Sequence, residues 1–258
     1  MVMIRRQYLM KEFFIEDDHI RLHAKLEQPV QSGKCPLLIL FHGLTGHMEE
    51  AHIRAVSKTA CDIGFAVLRV DLYGHGMSEG KFEDHTIFKW FGNAMTVIEY
   101  AQSLDFVSDL YISGHSQGGL LAMMAAGARP DDFKALIPLS PAILIPECAR
   151  KGDLLGMFRF DPDHIPELFE AGGLRLKGNY FRTAQLIHAE DFIDKYQKPV
   201  LIVHGDQDEA VPLQYSVDAA ARYQNCRLAV IPGDDHDYHF RLEMVTEEIR
   251  RFLLEQNG

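Results

Sequence analysis

Short apolar runs alternate with longer stretches of helical spacing along most of the chain. Five of these runs end in Gly, Asp, His or Ser, namely PLLILFHG, FAVLRVDLYG, DLYISGHS, ALIPLS and PVLIVHGD. Their hydrophobicity is continuous rather than alternating, which indicates strands that are covered on both faces, and the alternation with helical segments indicates a parallel sheet. The pattern therefore predicts a doubly wound α/β fold.

The remaining segments complete the predicted order of elements. Helical spacing predicts helices over 49–63, 87–103, 117–129, 184–195, 213–223 and 239–256, and CRLAVIPG reads as a last strand before the final helix. The segments FFIED and RLHAKLE alternate in polarity on either side of Asp17 and Asp18, which predicts an antiparallel hairpin at a sheet edge.

One interval breaks this rhythm. From Pro141 to Arg182 the sequence has no strand pattern, yet four of the 11 prolines and five of the 20 glycines fall there. A long irregular segment inside a compact α/β chain is usually a lid or a binding insert. We therefore expect a single domain over 1–258 with a lid insertion at about 141–182.

The strongest chemical signal is a Gly-x-Ser-x-Gly motif at 114–118, centred on Ser116. It directly follows the strand DLYIS and precedes the helical run LLAMMAAGA. A nucleophile on such a tight strand-to-helix turn needs neighbours without Cβ atoms, and the helix behind it presents N–H groups. A helix-capping serine between turn glycines is the plainer alternative, and it explains less of this context.

A serine nucleophile needs a base and a carboxylate, which in this arrangement follow in the order Ser, acid, His. Asp208 comes in DQDEAVP after PVLIVHG, and His236 comes in DDHDYH after RLAVIPG. We select Asp208 rather than Asp206, which is better placed to brace the loop, and Glu209 remains a further alternative. We select His236 rather than His239, because His239 falls where the last helix begins.

Acyl transfer also needs donors for an oxyanion. The backbone N–H groups of Gln117, directly after the serine, and of Leu44, in the loop HGLTG, are the candidates. A phosphate cradle is the rival interpretation of that loop, but it has neither Gly-x-Gly-x-x-Gly nor a following Lys-Ser/Thr pair. The Gly-rich segment that starts at Asp71 is interpreted as a turn that braces the nucleophile strand.

Composition and charge narrow the function further. Lys+Arg 26 against Asp+Glu 37 gives a net charge of −11, which argues against nucleic acid and anionic lipid as partners. The four cysteines form no Cys-x-x-Cys pair, the N-terminus lacks an uninterrupted apolar stretch, and no apolar run is long enough to span a membrane. The 13 histidines show no ligand spacing. We therefore expect a cytoplasmic enzyme without metal or cofactor.

The motifs HGLTG, DLYGHGMS, GHSQGG, HGDQDEAVP and DDHDYH, between about residues 37 and 240, resemble the α/β-hydrolase superfamily. The opening hairpin, the loop HGLTGHMEE and the insert from PAILIPE to KGNYFR are similar to the bacterial cinnamoyl (feruloyl) esterases, serine enzymes that cleave esters of hydroxycinnamic acids. The resemblance implies a catalytic triad of Ser116, Asp208 and His236. It also implies that the N–H groups of Leu44 and Gln117 are the oxyanion donors, and that Tyr180 is a lid residue that holds the phenolic hydroxyl of the substrate.

The resemblance leaves one lid position open. Where a member of that family carries an Asp that holds the substrate, this chain has the stretch from Pro146 to Cys148. The preference among ferulate, caffeate and coumarate therefore stays open. The insert is rich in apolar and aromatic residues, a composition that suits either an aromatic acyl pocket or the core of a lid; these residues are Ile143, Leu144, Ile145, Phe158, Phe160, Phe169 and Phe181.

The sequence as a whole predicts a serine carboxylesterase that forms an acyl-enzyme from a small ester with an aromatic acyl group. An acylglycerol lipase, a thioesterase and a peptidase are alternatives with the same triad, and a non-catalytic receptor for a small ligand is an alternative from another class. Dehalogenase and epoxide hydrolase activities are disfavoured, because those enzymes carry Asp at the nucleophile position of this strand-to-helix turn, where this chain has Ser116. The natural ester, the pathway and the oligomeric state, including a homodimer, stay open.

Overall fold

The fold is organised around a sheet of eight strands. The structure is a computed structural model that describes residues 8–30, 33–154 and 156–257. The strands of the sheet are β1 (Tyr8–Asp17), β2 (Ile20–Pro29), β3 (Cys35–Phe41), β4 (Ala66–Val70), β5 (Val107–His115), β6 (Phe133–Leu139), β11 (Val200–Gly205) and β12 (Cys226–Ile231). They lie in the order β1-β2-β4-β3-β5-β6-β11-β12. The pairs β1–β2 and β2–β4 are antiparallel and the other pairs are parallel, which confirms the predicted α/β fold with its N-terminal hairpin.

Helices cover both faces of this sheet. They are α1 (Ala51–Asp62), α2 (Ile87–Gln102), α3 (Gln117–Ala128), α4 (Ile145–Lys151), α5 (Asn179–Ala184), α6 (Ala189–Ile193), α7 (Leu213–Arg222) and α8 (Leu242–Gln256). On β3, Leu37 and Ile39 pack in one core cluster with residues of α2 and α3, while Leu38 and Leu40 pack in another with residues of α1 and α8. All four leucine and isoleucine side chains are fully buried, which is why the strand reads as one continuous apolar run.

The insert between β6 and β11 contains four short strands that the sequence analysis did not predict. These are β7 (Asp153–Leu154) and β8 (Phe158–Arg159), and β9 (Leu168–Ala171) and β10 (Leu174–Lys177), which form two antiparallel hairpins. Strands of two residues leave no readable period. The second hairpin does carry a signal, because Gly172 and Gly173 both have positive φ, at 56° and 80°, as a two-residue hairpin turn requires.

The helix predicted over 184–195 is wrong, because α5 ends at Ala184 and α6 begins only at Ala189. The Arg150 guanidinium of α4 donates to the main-chain oxygens of Gln185 and Ile187 at 3.1 and 2.9 Å. Both carbonyls lie at the break between the two helices. These hydrogen bonds therefore link α4 of the insert to the segment that returns to the sheet.

Within the described ranges, no helix combines the length and the apolar character needed to cross a membrane. The segment before Tyr8, on which the expectation about a secretory signal partly rests, lies outside the described residues.

Candidate active site

Ser116 lies on a sharp turn between β5 and α3. Its backbone has φ 56° and ψ −119°, a strained conformation for a residue with a Cβ atom, and α3 begins at the next residue, Gln117. A Cβ atom on Gly114 would lie 2.1 Å from the main-chain oxygen of Gly118, and one on Gly118 would lie 2.3 Å from that of His42. Both glycines are therefore required by close backbone approaches, and the turn presents the Ser116 side chain at the end of the sheet.

The loop after β3 packs directly against this turn. His42 Nδ1 donates to the main-chain oxygen of Gly43 at 2.8 Å, and His42 Nε2 accepts the N–H of Leu72 at 2.9 Å. The C=O and N–H of a trans peptide point in opposite directions, so the N–H of Leu44 points away from His42. A Cβ atom on Gly43 would lie 3.1 Å from the Cβ of Ser116. The Leu44 N–H therefore belongs to a fixed peptide beside the serine.

Asp71 braces this loop from the end of β4. Its Oδ1 accepts the N–H of Met48 at 2.8 Å, and its Oδ2 accepts the N–H of Met77 and His23 Nδ1, both at 3.0 Å. Burial alone would raise the pKa of Asp71, but these hydrogen bonds outweigh it and the pKa is lowered. The carboxylate therefore makes structural hydrogen bonds to two loop N–H groups and to the His23 side chain of β2.

Asp208 lies between β11 and α7 with its side chain fully buried. Its Oδ1 accepts the N–H groups of Ala210 and Val211 at 2.9 and 2.7 Å, and its Oδ2 lies 2.7 Å from His236 Nδ1 and 3.1 Å from His204 Nε2. Burial alone would raise the pKa of Asp208, but the hydrogen bonds from both histidines outweigh it and hold the pKa well below its usual value. The carboxylate is therefore ionised at neutral pH.

His204 is a part of this arrangement that the sequence analysis missed. It lies on β11 next to its last residue and is fully buried, and its Nδ1 lies 2.7 Å from the hydroxyl of Ser216. Its Nε2 also lies 2.9 Å from the main-chain oxygen of Val211, which can only accept, so Nε2 carries the proton. The sequence offered one signal for it, because His204 and Asp208 are four residues apart at a strand end.

His236 lies in the loop between β12 and α8, with 18% of its side chain exposed. Because Nδ1 bonds the Asp208 carboxylate, it is the protonated nitrogen of the neutral ring, and Nε2 carries the lone pair. A surface depression of about 450 Å³ borders this ring, and its other lining residues are Gln207, Glu209, Ala210, Asp235 and Phe240. An imidazole oriented in this way can accept a proton and then deliver it at Nε2.

His115 links the His236 loop to the strand that carries Ser116. Its Nε2 donates to the main-chain oxygen of His236 at 2.8 Å, and the two rings have centroids 4.7 Å apart. Burial lowers the pKa of His115 well below its usual value, so the ring is neutral. The sequence analysis missed this link, because the two residues are 121 positions apart.

The residues that competed with these candidates have other partners or face solvent. Asp206 is exposed and its Oδ1 accepts the N–H of Gly233 at 2.7 Å, so it braces the neighbouring loop. Glu209 is exposed. His239 has 66% of its side chain exposed, and its Nδ1 bonds Asp235 Oδ2 at 2.7 Å.

Tyr180, the predicted lid residue, is fully buried on α5. Its hydroxyl donates to Gln117 Oε1 at 2.7 Å, and its ring centroid lies 5.0 Å from that of His85. Burial raises the pKa of this phenol above its usual value. The hydroxyl that was expected to hold the substrate is thus bonded to the residue after Ser116, and its role in substrate binding stays a prediction.

The aromatic residues of the insert pack on one another. Ring centroids are 4.6–5.8 Å apart among four phenylalanines, namely Phe158, Phe160, Phe169 and Phe181. They belong to one apolar cluster with Leu144 and Ile145. The cluster also includes residues of α2 and α3, so these side chains pack the insert against the body of the domain, and the lid stays a prediction. In the stretch that was left open, Glu147 Oε2 accepts the hydroxyl of Tyr215 at 3.0 Å.

Similarity to known proteins agrees with this geometry. Residues 34–162 match the family Hydrolase_4, described as serine aminopeptidase, S33. The structure of Est1E from Butyrivibrio proteoclasticus with ferulic acid bound is 58% identical in sequence, with a TM-score of 0.93, over 95% of this chain and 98% of that one. Human palmitoyl-protein thioesterase ABHD10, a mitochondrial protein, is 26% identical over 223 residues, which are 81% of this chain and 69% of the relative.

The matched family covers half of the chain, and the likeness to Est1E extends over nearly all of it. The chain belongs to the Hydrolase_4 family of α/β-hydrolases, and it is a serine hydrolase of the carboxylesterase type.

Proposed function

We propose that this protein hydrolyses hydroxycinnamate esters of the ferulate type through a Ser116–His236–Asp208 triad. The observation that carries the choice of substrate is the likeness, at 58% identity, to a structure of Est1E that holds ferulic acid. The substrate is then a small ester with a planar aromatic acyl group.

The first step is attack of Ser116 Oγ on the ester carbonyl. His236 Nε2 accepts the serine proton and then donates it to the leaving alcohol, and a water molecule reverses these roles in the second half of the reaction. The bond of 2.7 Å between His236 Nδ1 and Asp208 Oδ2 supports this assignment, because it fixes the tautomer with a lone pair on Nε2. The ionised Asp208 carboxylate stabilises the imidazolium that forms transiently.

The N–H groups of Leu44 and Gln117 hold the oxyanion of the tetrahedral intermediate. Gln117 is the first residue of α3, where N–H groups have no partner within the helix and the helix dipole is positive. The bond from His42 to the Gly43 carbonyl supports the choice of Leu44, because it fixes the direction of the Leu44 N–H. Loss of one such donor typically costs about 10²–10³-fold in kcat.

A panel of substrates tests this function. We expect kcat/KM to be highest for methyl esters of ferulic and 4-hydroxycinnamic acids, lower for methyl cinnamate, and lowest for a palmitoyl thioester, a monoacylglycerol and an aminoacyl amide. The thioester matters because of the similarity to ABHD10. A preference for the thioester, the acylglycerol or the amide would overturn the substrate proposal and retain the serine mechanism.

The same panel measured on Ser116→Ala tests the nucleophile. Removal of the hydroxyl is expected to lower turnover by about 10⁴-fold or more, with the circular dichroism spectrum unchanged. A fluorophosphonate probe should label the wild-type protein and fail to label the variant. Turnover of the variant within tenfold of wild type would contradict Ser116 as the nucleophile. Absence of both turnover and labelling in the wild type would contradict a serine mechanism and favour a binding protein.

A further inference from the structure

A group of potential metal-ligating atoms lies next to the His236 loop. His52 of α1, His115 of β5 and Asp237 each contribute one atom, and these three atoms lie within 4.8 Å of one another. The rings of His52 and His115 have centroids 4.2 Å apart, and His115 Nε2 lies 3.9 Å from Asp237 Oδ1. The sequence could not indicate the group, because its members come from three distant segments.

One nitrogen in this group has no hydrogen-bond partner. His52 Nε2 is buried without one, and only 4% of the His52 side chain is exposed. Its nearest charged neighbour is Glu50 Oε2, at 3.9 Å, which is too far for a hydrogen bond. Buried polar atoms are nearly always bonded, and a bound ion is one explanation for an exception of this kind.

We propose that His52, His115 and Asp237 bind a divalent transition-metal ion, with Zn²⁺ as the best fit, and that the bound ion inhibits the enzyme. Two imidazole nitrogens and a carboxylate oxygen form a donor set that zinc prefers over magnesium or calcium. Glu50 is close enough to His52 to supply an oxygen as the fourth ligand.

The geometry needs only a small adjustment to accept this ion. Tetrahedral ligands at about 2.0–2.1 Å from zinc lie about 3.4 Å from one another, so the group has to contract by roughly 1 Å. Asp237 has 47% of its side chain exposed and Glu50 has 28% exposed. The two carboxylates can therefore move onto the ion, and they give it a path from solvent to the buried imidazoles.

Inhibition follows from the bond that His115 already makes. Its Nε2 donates to the main-chain oxygen of His236 at 2.8 Å, and the distance of 3.9 Å to Asp237 is measured from the same nitrogen. A nitrogen that binds a metal has no proton to donate. Metal binding therefore breaks the link that holds the His236 loop, and the ring moves away from the position that catalysis needs. This coupling rests on the proposed role of His236, whereas the binding itself does not.

Calorimetric titration with Zn²⁺ tests the site without using turnover. We expect one equivalent to bind to the chelator-treated wild-type protein, and the affinity to fall at least about tenfold in His52→Gln and in Asp237→Asn. His239→Gln, which changes an exposed histidine that lies outside the group, is the matched control and should bind as wild type does. The melting temperature of each metal-free variant shows whether it is folded. If His52→Gln does not fold, Asp237→Asn still provides the test, because Asp237 is half exposed. Unchanged affinity in the folded ligand variants would overturn the site.

Turnover with and without zinc tests the coupling. Saturating Zn²⁺ is expected to lower wild-type kcat/KM at least about tenfold and EDTA to restore it, while His52→Gln, compared with its own metal-free rate, should resist inhibition. Equal inhibition of His52→Gln would mean that zinc acts at His236 directly, and it would overturn the coupling. If no hydroxycinnamate ester is turned over, the proposed substrate fails, and the calorimetric titration still decides the site.

Discussion

Replacement of Asp208 by Asn is the sharpest test of the arrangement around His236. Four N–H groups converge on this carboxylate, two from Ala210 and Val211 at Oδ1 and two from His204 and His236 at Oδ2. An amide has one acceptor oxygen, so its NH₂ group must face one of these pairs. If the oxygen stays on the loop N–H groups, the NH₂ group faces the two histidines.

The two histidines respond differently to that NH₂ group. His204 keeps an acceptor, the main-chain oxygen of Val211 at 2.9 Å. His236 can restore a hydrogen bond only by moving its proton from Nδ1 to Nε2, and a protonated Nε2 cannot accept the proton of Ser116. We therefore expect kcat to fall about 10⁴-fold. The free energy of unfolding should fall by about 1–3 kcal/mol, for one donor left without an acceptor.

Asp206→Asn is the matched control, since Asp206 is exposed and binds only loop groups. Steady-state kinetics on methyl 4-hydroxycinnamate and urea unfolding of both variants give the two quantities. A kcat for Asp208→Asn within tenfold of wild type, or a larger loss in Asp206→Asn, would refute the reasoning.

Three further predictions concern His236, Tyr180 and His52. His236→Ala should lower kcat about as much as loss of Ser116, because such residues act as a unit, whereas His239→Ala should leave kcat nearly unchanged. Tyr180→Phe removes the donor to Gln117 Oε1; we expect unfolding to become easier by about 1–3 kcal/mol and kcat/KM to fall about two- to twelvefold for methyl 4-hydroxycinnamate only. Burial lowers the pKa of His52 from 6.5 to about 4, so the unfolded chain binds more protons than the folded protein between these pH values. As the pH falls through this range, the free energy of unfolding should decrease by up to about 3 kcal/mol more in wild type than in His52→Gln.

Each of these outcomes has a measurement that contradicts it. A larger kinetic loss in His239→Ala than in His236→Ala would show that the base is wrongly assigned. Equal ratios of kcat/KM for methyl 4-hydroxycinnamate and methyl cinnamate in Tyr180→Phe and wild type would remove Tyr180 from the binding site. Parallel curves of unfolding free energy against pH for wild type and His52→Gln, measured with EDTA present, would show that His52 is protonated alike in both states.

The central sheet was predictable because its physical cause is local in the sequence. A strand that is buried on both faces must be apolar at every position, and Leu37, Leu38, Ile39 and Leu40 meet that condition by facing the two layers in turn. The turn at Ser116 was also predictable from a few neighbouring residues, because the close approach of Gly114 to Gly118 requires glycine at fixed spacing from Ser116. The sequence analysis thus found the features that a few neighbouring residues determine.

The contacts that hold the candidate site together were not predictable in this way. The hydrogen bond from His115 to the His236 carbonyl spans 121 positions. At the break in the helix predicted over 184–195, Arg150 binds carbonyls 35 and 37 positions away. Neither contact leaves a periodic trace, because a single side chain meets a backbone oxygen that every residue has. Sequence patterns therefore identify candidate reactive groups more easily than they identify the groups that position them.

Gln117 connects α5 of the insert to the turn that carries Ser116. Its N–H is a proposed oxyanion donor, its Oε1 accepts the Tyr180 hydroxyl, and its Nε2 is buried without a hydrogen-bond partner. Any movement of α5 away from Gln117 breaks the bond to Tyr180 and leaves a second polar atom of the same amide unpaired. A substrate hydroxyl that enters there can replace the lost partner, whereas an unsubstituted ring cannot. The Tyr180–Gln117 hydrogen bond therefore links the position of α5 to the proposed preference for hydroxylated acyl groups.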